Sequence, residues 1–518
     1  MTPDPVPPRT PPYAAPPRRL RRLRWLLWLL VLLPWAGLAL GALYAALRFL
    51  PDRPETYADP AQHFKYGSTG GERESGFPYW IWQALPQVCA EHLPAQGRER
   101  GYAALGLIYE NGRDLPVGMS KRRHFGLDRV FLNCAVCHAS TVRDAPGAAP
   151  RLVLGMPAHR FDIRAFETFM FNCAAGPDFS RERIVPVIDQ LAGGLNPIDR
   201  YLVYPLAVAL MRERLLMLRG RFDFVFDQPE WGPGRVDTFN SAKVLFNFPM
   251  HRLPPQELLG ASDFPSIWHQ RKRMTRDDGR RMELHWDGNN THTEERNKSA
   301  AFGTGTTPPT IDLAAIGRVE DWLLDLAPPA YPYPINQALA ARGAPVYARY
   351  CADCHGASGQ DFRGARVGHV TPIAEIATDR ARLDSYTRDL AVNQATLYAG
   401  YPHRFQHFRK TWGYANMPLD GLWLRAPYLH NGSVPTLRDL LEPAFARPAT
   451  FIRGSDVFDP MRVGFLAEPP PPAPGDPPLF RFDTRVPGNG NQGHEGEAYG
   501  TALPAADKDA LVEYLKTF

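Results

Sequence analysis

"NCAVCH", Asn133 to His138, and "CADCH", Cys351 to His355, hold four of the six cysteines in this 518-residue chain. In each, two thiols lie within one turn and a histidine follows the second cysteine directly. That spacing lets the two thiols add to the two vinyl groups of one haem while the histidine takes the iron from below. Two copies therefore predict two covalent haems, with Cys134, Cys137, Cys351 and Cys354 as the attachment points and His138 and His355 as the proximal iron ligands. Zinc is the main rival, because paired CxxC half-sites also make tetrahedral centres. The two halves here are far apart in sequence, however, and each carries its own adjacent histidine. A thioredoxin-like redox pair would need a βαβ setting that neither copy has.

The flanking residues extend the reading to a fold. Gly343, Tyr347 and Cys351 recur every four residues, as do Gly126, Val130 and Cys134. Each set predicts one helical face, with a glycine that lets another helix cross closely. Downstream of each motif comes a short amphipathic segment, "RVEDWLLDL" at 318–326 and "LVEYLKTF" at 511–518, expected to close the unit as a helix. Prolines in "APPAYPYP" (327–334) mark a boundary. With 53 prolines and 43 glycines, much of the chain should be loop. The expected fold is mainly α and loop-rich: two cytochrome c-like haem domains, over 60–327 (with long insertions) and 335–518, following an N-terminal transmembrane helix.

The formal charge of +5 is concentrated at one end. Arg9, Arg18, Arg19, Arg21, Arg22 and Arg24 against Asp4 account for all of it, so the rest is near neutral and no nucleic-acid partner is expected. Residues 25–47 carry no charge and span about 35 Å as a helix, enough for a bilayer core. The basic tail over 1–24 should stay cytoplasmic, which makes this a single-pass inner-membrane anchor with the body in the periplasm. A cleaved signal peptide is the alternative, though its apolar region would be unusually long and no good small-x-small cleavage site appears among Gly41–Ala46. Outside the cytoplasm Cys89 and Cys173 either pair or serve as small buried hydrophobes; sequence leaves both open.

Beyond the haem motifs, "HWDGNNTHTEE" (285–295) and "RAPYLHNGSVPTLRDLL" (425–441) are similar to segments of the bacterial di-haem cytochrome c peroxidase superfamily. "FKYGSTG" (64–70), "GPGRVDTFN" (232–240), "SAAFGTG" (299–305) and "GNGNQGHEGEAYGT" (488–501) resemble its rubber-oxygenase-like branch. The resemblance implies that one haem transfers electrons and the other is reactive. It implies His494 as sixth ligand of the second haem, although Met417, in a Met-Pro loop like those of ordinary cytochromes c, is the rival. It places Phe302 beside oxygen bound at the first haem, Trp286 between the haems, and Arg296 where peroxidases keep a polar distal residue. Where the peroxidases carry an acid/base glutamate, this chain has Gly303-Thr304-Gly305-Thr306; Glu294 and Glu295 lie near that place but not at it.

Six further positions carry candidate roles. Met156 and His159 are the nearest downstream candidates for a sixth ligand at the first haem. His430 is expected to be a structural hydrogen-bonder. Lys121, Arg122 and Arg123 form either a solvated charge run or propionate partners.

The function expected is a haem-dependent oxidoreductase handling dioxygen or peroxide. Its electron partner would be a donor or acceptor protein or a quinol-linked chain. The alternatives are a non-catalytic electron-transfer cytochrome and a peroxidase with an unusual proton shuttle.

Overall fold

A computed structural model describes residues 2, 4, 5 and 18–518. Most of the basic tail, Arg9 included, lies outside these residues. The chain falls into two compact units: Met1–Arg53 with Arg123–Leu127, and Pro54–Arg122 with Asp128–Phe518. Helix makes up about 44% of the structure, above the third found in ordinary globular domains, so the mainly helical expectation holds.

The first unit is dominated by the helix Arg18–Phe49. Its stretch Arg22–Phe49 has mean hydropathy 2.2, and none of it is buried within the protein. Length and composition suit a single membrane anchor and equally a signal sequence.

In the second unit the C-terminal haem motif sits as the sequence implies. Asn336 caps the helix Gln337–Tyr350, its side chain accepting from the Leu339 amide at 3.1 Å. The closing helix, Ala505–Leu515, crosses it at Gly343. A Cβ there would lie 2.0 Å from the Ala510 carbonyl oxygen, so only glycine allows the approach. Tyr347 fills the crossing, packing on Tyr514 and Phe518 and donating to the Gly356 carbonyl at 2.7 Å. Around this pair lie the buried Leu422, Trp423, Leu424, Leu511 and Leu515, joined by Val142 and Trp268 from the N-terminal half.

The N-terminal motif is built differently. No helix precedes it: Met119–His124 and Leu127–Leu132 are strands, joined at Phe125 and Gly126, both with positive φ. The run "LDRVFL" carries the strand-favouring Val130 and Phe131, and an adjoining left-handed turn makes a hairpin cheaper than a helix. Strand Phe77–Pro78 extends the pairing along Val130 and Arg129. The closing helix does form, over Leu313–Asp325, with the Asp312 side chain accepting from the Ala315 amide at 3.0 Å. It packs on the helix Pro60–Tyr66 through Trp322 and Phe64, ring centroids 5.2 Å apart, and its Val319 and Leu323 share a core with Ala135 and Ala139.

The long insertion of this half adds the helices Ile163–Ala175, Arg181–Leu191 and Tyr204–Arg221. Cys89 and Cys173 are bonded to each other, with Cα atoms 5.6 Å apart, which decides between the two roles that sequence left open.

Candidate haem sites

Asn133 positions the first pentapeptide. Its side-chain oxygen accepts from the Ala135 amide at 3.0 Å, and its nitrogen donates to the carbonyls of Lys65 (3.3 Å) and Gly67 (3.1 Å). The motif is thereby tied to the segment "FKYGSTG". Cys134 and Cys137 are unpaired, as are Cys351 and Cys354. Burial pushes the Cys134 and Cys351 thiols up, to about 11 and about 12, so as free groups they would be inert.

Both motif histidines are held in one tautomer by the backbone. His138 donates through Nδ1 to the Pro265 carbonyl at 2.9 Å, and His355 through Nδ1 to the Met417 carbonyl at 2.7 Å. Each bond leaves Nε2 with its lone pair, the arrangement a metal-binding imidazole requires. Burial, with Arg296 adding to it, pulls His138 down to about 4; burial and Arg425 lower His355 likewise. Neutral imidazoles are what iron takes up.

Beyond His355 stands His494. The two ring centroids are 6.2 Å apart, the rings inclined by 47°. Two metal–nitrogen bonds of about 2.0 Å, plus the distances from nitrogen to ring centre, give roughly 6.3 Å for imidazoles sharing one metal. The Nδ1 of His494 is buried without a hydrogen-bond partner, and burial and His355 bring its pKa down to about 3. The His494 amide donates to the Ile376 carbonyl at 2.8 Å, which sets the loop. Met417 enters this site through its carbonyl, as the acceptor for His355. These residues fit a haem carried by Cys351 and Cys354.

A bonded sequence of atoms connects the two motif histidines. From His138 it runs through Pro265 and back along Phe264 to Asp263, whose carbonyl accepts from Trp286 Nε1 at 2.8 Å. The Trp286 carbonyl accepts from the Ala415 amide at 2.8 Å, and Ala415 leads through Asn416 to Met417 and His355. Asp263 is fixed in turn by Arg453, at 2.9 and 3.0 Å, and its amide donates to the His430 carbonyl. His430 therefore serves through its backbone, while its ring stacks on Tyr414 at 4.0 Å. Nothing in the sequence marks Pro265, Asp263 or Ala415, because all three act through main-chain atoms.

The helix Thr293–Gly303 brings Arg296 near His138. Burial brings this guanidinium down to about 10. Its neighbour Asn297 donates to Gln270 (3.2 Å) and to Glu320 (3.3 Å). The Glu320 carboxyl is raised by burial and lies within electrostatic reach of Arg296 and Cys134. Sequence reading missed it, since Glu320 sits in what looked like a closing helix alone. Glu295 is committed elsewhere: it accepts from the amides of Gln406 and His407, from the His407 ring and from Asn290, at 2.8–3.1 Å. Phe302, near the end of the same helix, stacks on Phe246 at 5.5 Å. Met156 is a core residue and His159 stacks on Phe465 at 3.9 Å. Lys121 pairs with Glu55 and Asp114, and Arg122 bonds Ser68.

One charged cluster holds the second site against the N-terminal half. Asp420, three residues beyond Met417, is fully buried. It accepts from His269 at 3.0 Å and binds both Arg273 and Arg425. Its carboxyl is held well below the usual range by these two guanidinium groups and His269, against burial, which acts the other way.

Residues 413–452 match a family model described as RoxA-like, cytochrome c-like. That segment contains Met417, Asp420 and His430. A cytochrome c-like domain implies covalently bound haem c. The uncharacterized protein y4iM of Sinorhizobium fredii (strain NBRC 101917 / NGR234) is 32% identical over 325 residues, covering 56% of this chain and 71% of that protein. The chain belongs to the family of y4iM. The uncharacterized protein y4iJ of the same strain is 31% identical over 260 residues, 38% of this chain and 42% of that protein. In this member of the y4iM family the RoxA-like segment supplies the carbonyl that orients His355 and the carboxylate that anchors its loop.

Proposed function

We propose that this protein is a di-haem c-type cytochrome, held in the inner membrane by its N-terminal helix, whose haem domains (60–327 and 335–518) face the periplasm and carry out oxidoreductase chemistry. The observation that carries this reading is the equivalence of the two pentapeptides: unpaired thiols, then a histidine whose Nδ1 is bonded to a backbone carbonyl. The Cys89–Cys173 bond supports an oxidising compartment. Haem, when bound, supplies one-electron and dioxygen or peroxide chemistry.

The residues divide the labour. His355 and His494 would hold the C-terminal group from both sides, which suits electron transfer. His138 would hold the N-terminal one, leaving the other face to small molecules. Trp286 lies in the bonded sequence between the two histidines, which supports a role in passing electrons. Arg296, near His138, would donate to an oxygen atom or to a propionate, and Phe302 would keep the region apolar. A donor or acceptor protein or a quinol-linked chain would supply or take electrons.

A peroxidase reading gains from Glu320. Its raised carboxyl, bonded to Asn297 and near Arg296, could hold and move a proton where the sequence lacks the expected glutamate. A plain electron carrier is the remaining alternative.

Intact mass and absorption spectra of the purified protein test the reading. Two added haems, with one centre that accepts carbon monoxide on reduction and one that does not, is the expected result. A mass without haem removes the proposal; two centres inert to added ligand reduce it to a carrier. Hydrogen peroxide turnover with a reduced donor, lost in Glu320→Gln, would favour the peroxidase.

A further inference from the structure

The helix Tyr204–Arg221, entered through the π-helical turn Asp199–Val203, is apolar on two opposite faces. Tyr204, Val208, Met211 and Leu215 point inward and are buried. The outer face carries Ile198 (43% exposed), Tyr201 (75%), Leu202 (65%), Leu206 (56%), Leu210 (59%) and Met217 (54%). A helix that is hydrophobic all round is ordinarily covered on all sides. Arg212 and Arg214 do not break the outer face: they turn toward the protein to bond the carbonyls of Ala174, Gly176 and Glu74. Glu213 is the one exposed charge between Tyr201 and Met217 among the described residues.

We infer that this face docks on the lipid surface, lying in the boundary between headgroups and acyl chains. Three observations favour lipid as the occupant. The apolar run is bracketed by exposed Arg219 and by exposed Arg200, which also pairs with Asp189 at 2.8 Å, with Tyr201 at its edge, the order found where helices meet phosphate headgroups. The helix carries too many charges (Arg212, Glu213, Arg214, Arg219, Arg221) to cross a membrane, so it lies on one. The same chain also carries an apolar span that ends a few residues before this unit begins in sequence, which presents the unit to lipid at high effective concentration. The inference rests on the reading of that span as a retained anchor. Docking would hold the haem domains in one orientation against the membrane, where a quinol-linked partner would meet them.

The test is photolabelling of the full-length haem-loaded protein in phosphatidylethanolamine/phosphatidylglycerol nanodiscs. These contain a phosphatidylcholine with a diazirine near the end of its acyl chain. Mass spectrometry then reads the tryptic peptide Tyr201–Arg212, with the span peptides as internal control. Adducts on both are expected. In the triple variant L202Q/L206Q/L210Q the peptide signal should fall at least about fivefold, with span labelling, Soret absorbance and melting unchanged, because these side chains are exposed. A labelled span with a clean Tyr201–Arg212 peptide overturns the inference and leaves the anchor standing. If the mature chain lacks the span, the anchor reading fails, and the same labelling on vesicles decides docking alone: a clean peptide overturns it, adducts uphold it. Cross-links between two copies across this face, with no lipid adducts, assign it to a second copy and also overturn it.

Discussion

Replacing Asp420 by asparagine removes the charge on which the second site's attachment depends. The carboxylate is fully buried and sits among Arg273, Arg425 and His269. Asparagine keeps the shape and leaves two guanidinium groups facing each other in one dry pocket. Removing one partner of a buried ion pair costs about 3–5 kcal/mol, a large fraction of the 5–15 kcal/mol that stabilises a typical domain. At an unfolding entropy of roughly 2.1 cal/mol/K per residue, a unit of this size should lose about 3–5 °C in Tm.

The control is Asp325→Asn, which breaks an equally well-formed fork: Arg271 reaches both Asp325 oxygens, at 2.7 and 2.8 Å, but in solvent. Water screens that pair, so its loss should leave Tm within experimental scatter. Differential scanning calorimetry of the haem-loaded proteins between pH 3 and 8 makes the comparison. Asp420 is held below its ordinary pKa, so its contribution is full above about pH 4 and is lost as pH falls through the folded-state value. The gap between wild type and D420N should therefore narrow below pH 4. Equal losses in the two variants, or a gap independent of acid, would refute the argument that burial gives this carboxylate its weight.

Three other outcomes are expected. His494→Ala should convert the C-terminal haem from six-coordinate to ligand-accepting, seen as a shifted Soret band that returns on adding imidazole; an unchanged spectrum would return Met417 to contention. Trp286→Phe, which loses the hydrogen bond to Asp263, should slow electron equilibration between the haems in stopped-flow reduction while leaving both spectra in place. Burial, with Asp162 and Asp237 adding to it, raises the Glu167 carboxyl to about 8. It therefore stays protonated when folded but ionises when unfolded, so it destabilises the fold progressively from about pH 4.5 to 8. Glu167→Gln should match wild type in melting at pH 4 and exceed it at pH 8, by about 5 kcal/mol at most.

Some of this protein is written in local sequence. The haem-attachment chemistry is legible because covalent attachment needs two thiols and a histidine within five residues, and the apolar helix because crossing lipid needs an unbroken run. The C-terminal helix crossing could be read from Gly343 and Tyr347, since helical periodicity is itself local. The strand before the first motif could not: "LDRVFL" suits either period, and the turn at Phe125-Gly126 tips it. The resemblance put Trp286 between the haems, but the bonds that hold it there were not legible. The atoms it bonds, the carbonyl of Asp263 and the amide of Ala415, exist in every residue and leave no mark in a sequence. The same holds for Pro265 and Met417, which orient the two histidines through main-chain oxygens. The 6.2 Å spacing of His355 and His494 and the meeting of Asp420 with Arg273 and Arg425 join segments distant along the chain. Only tertiary packing decides such encounters, because the free energy that fixes them comes from burial shared across the whole unit.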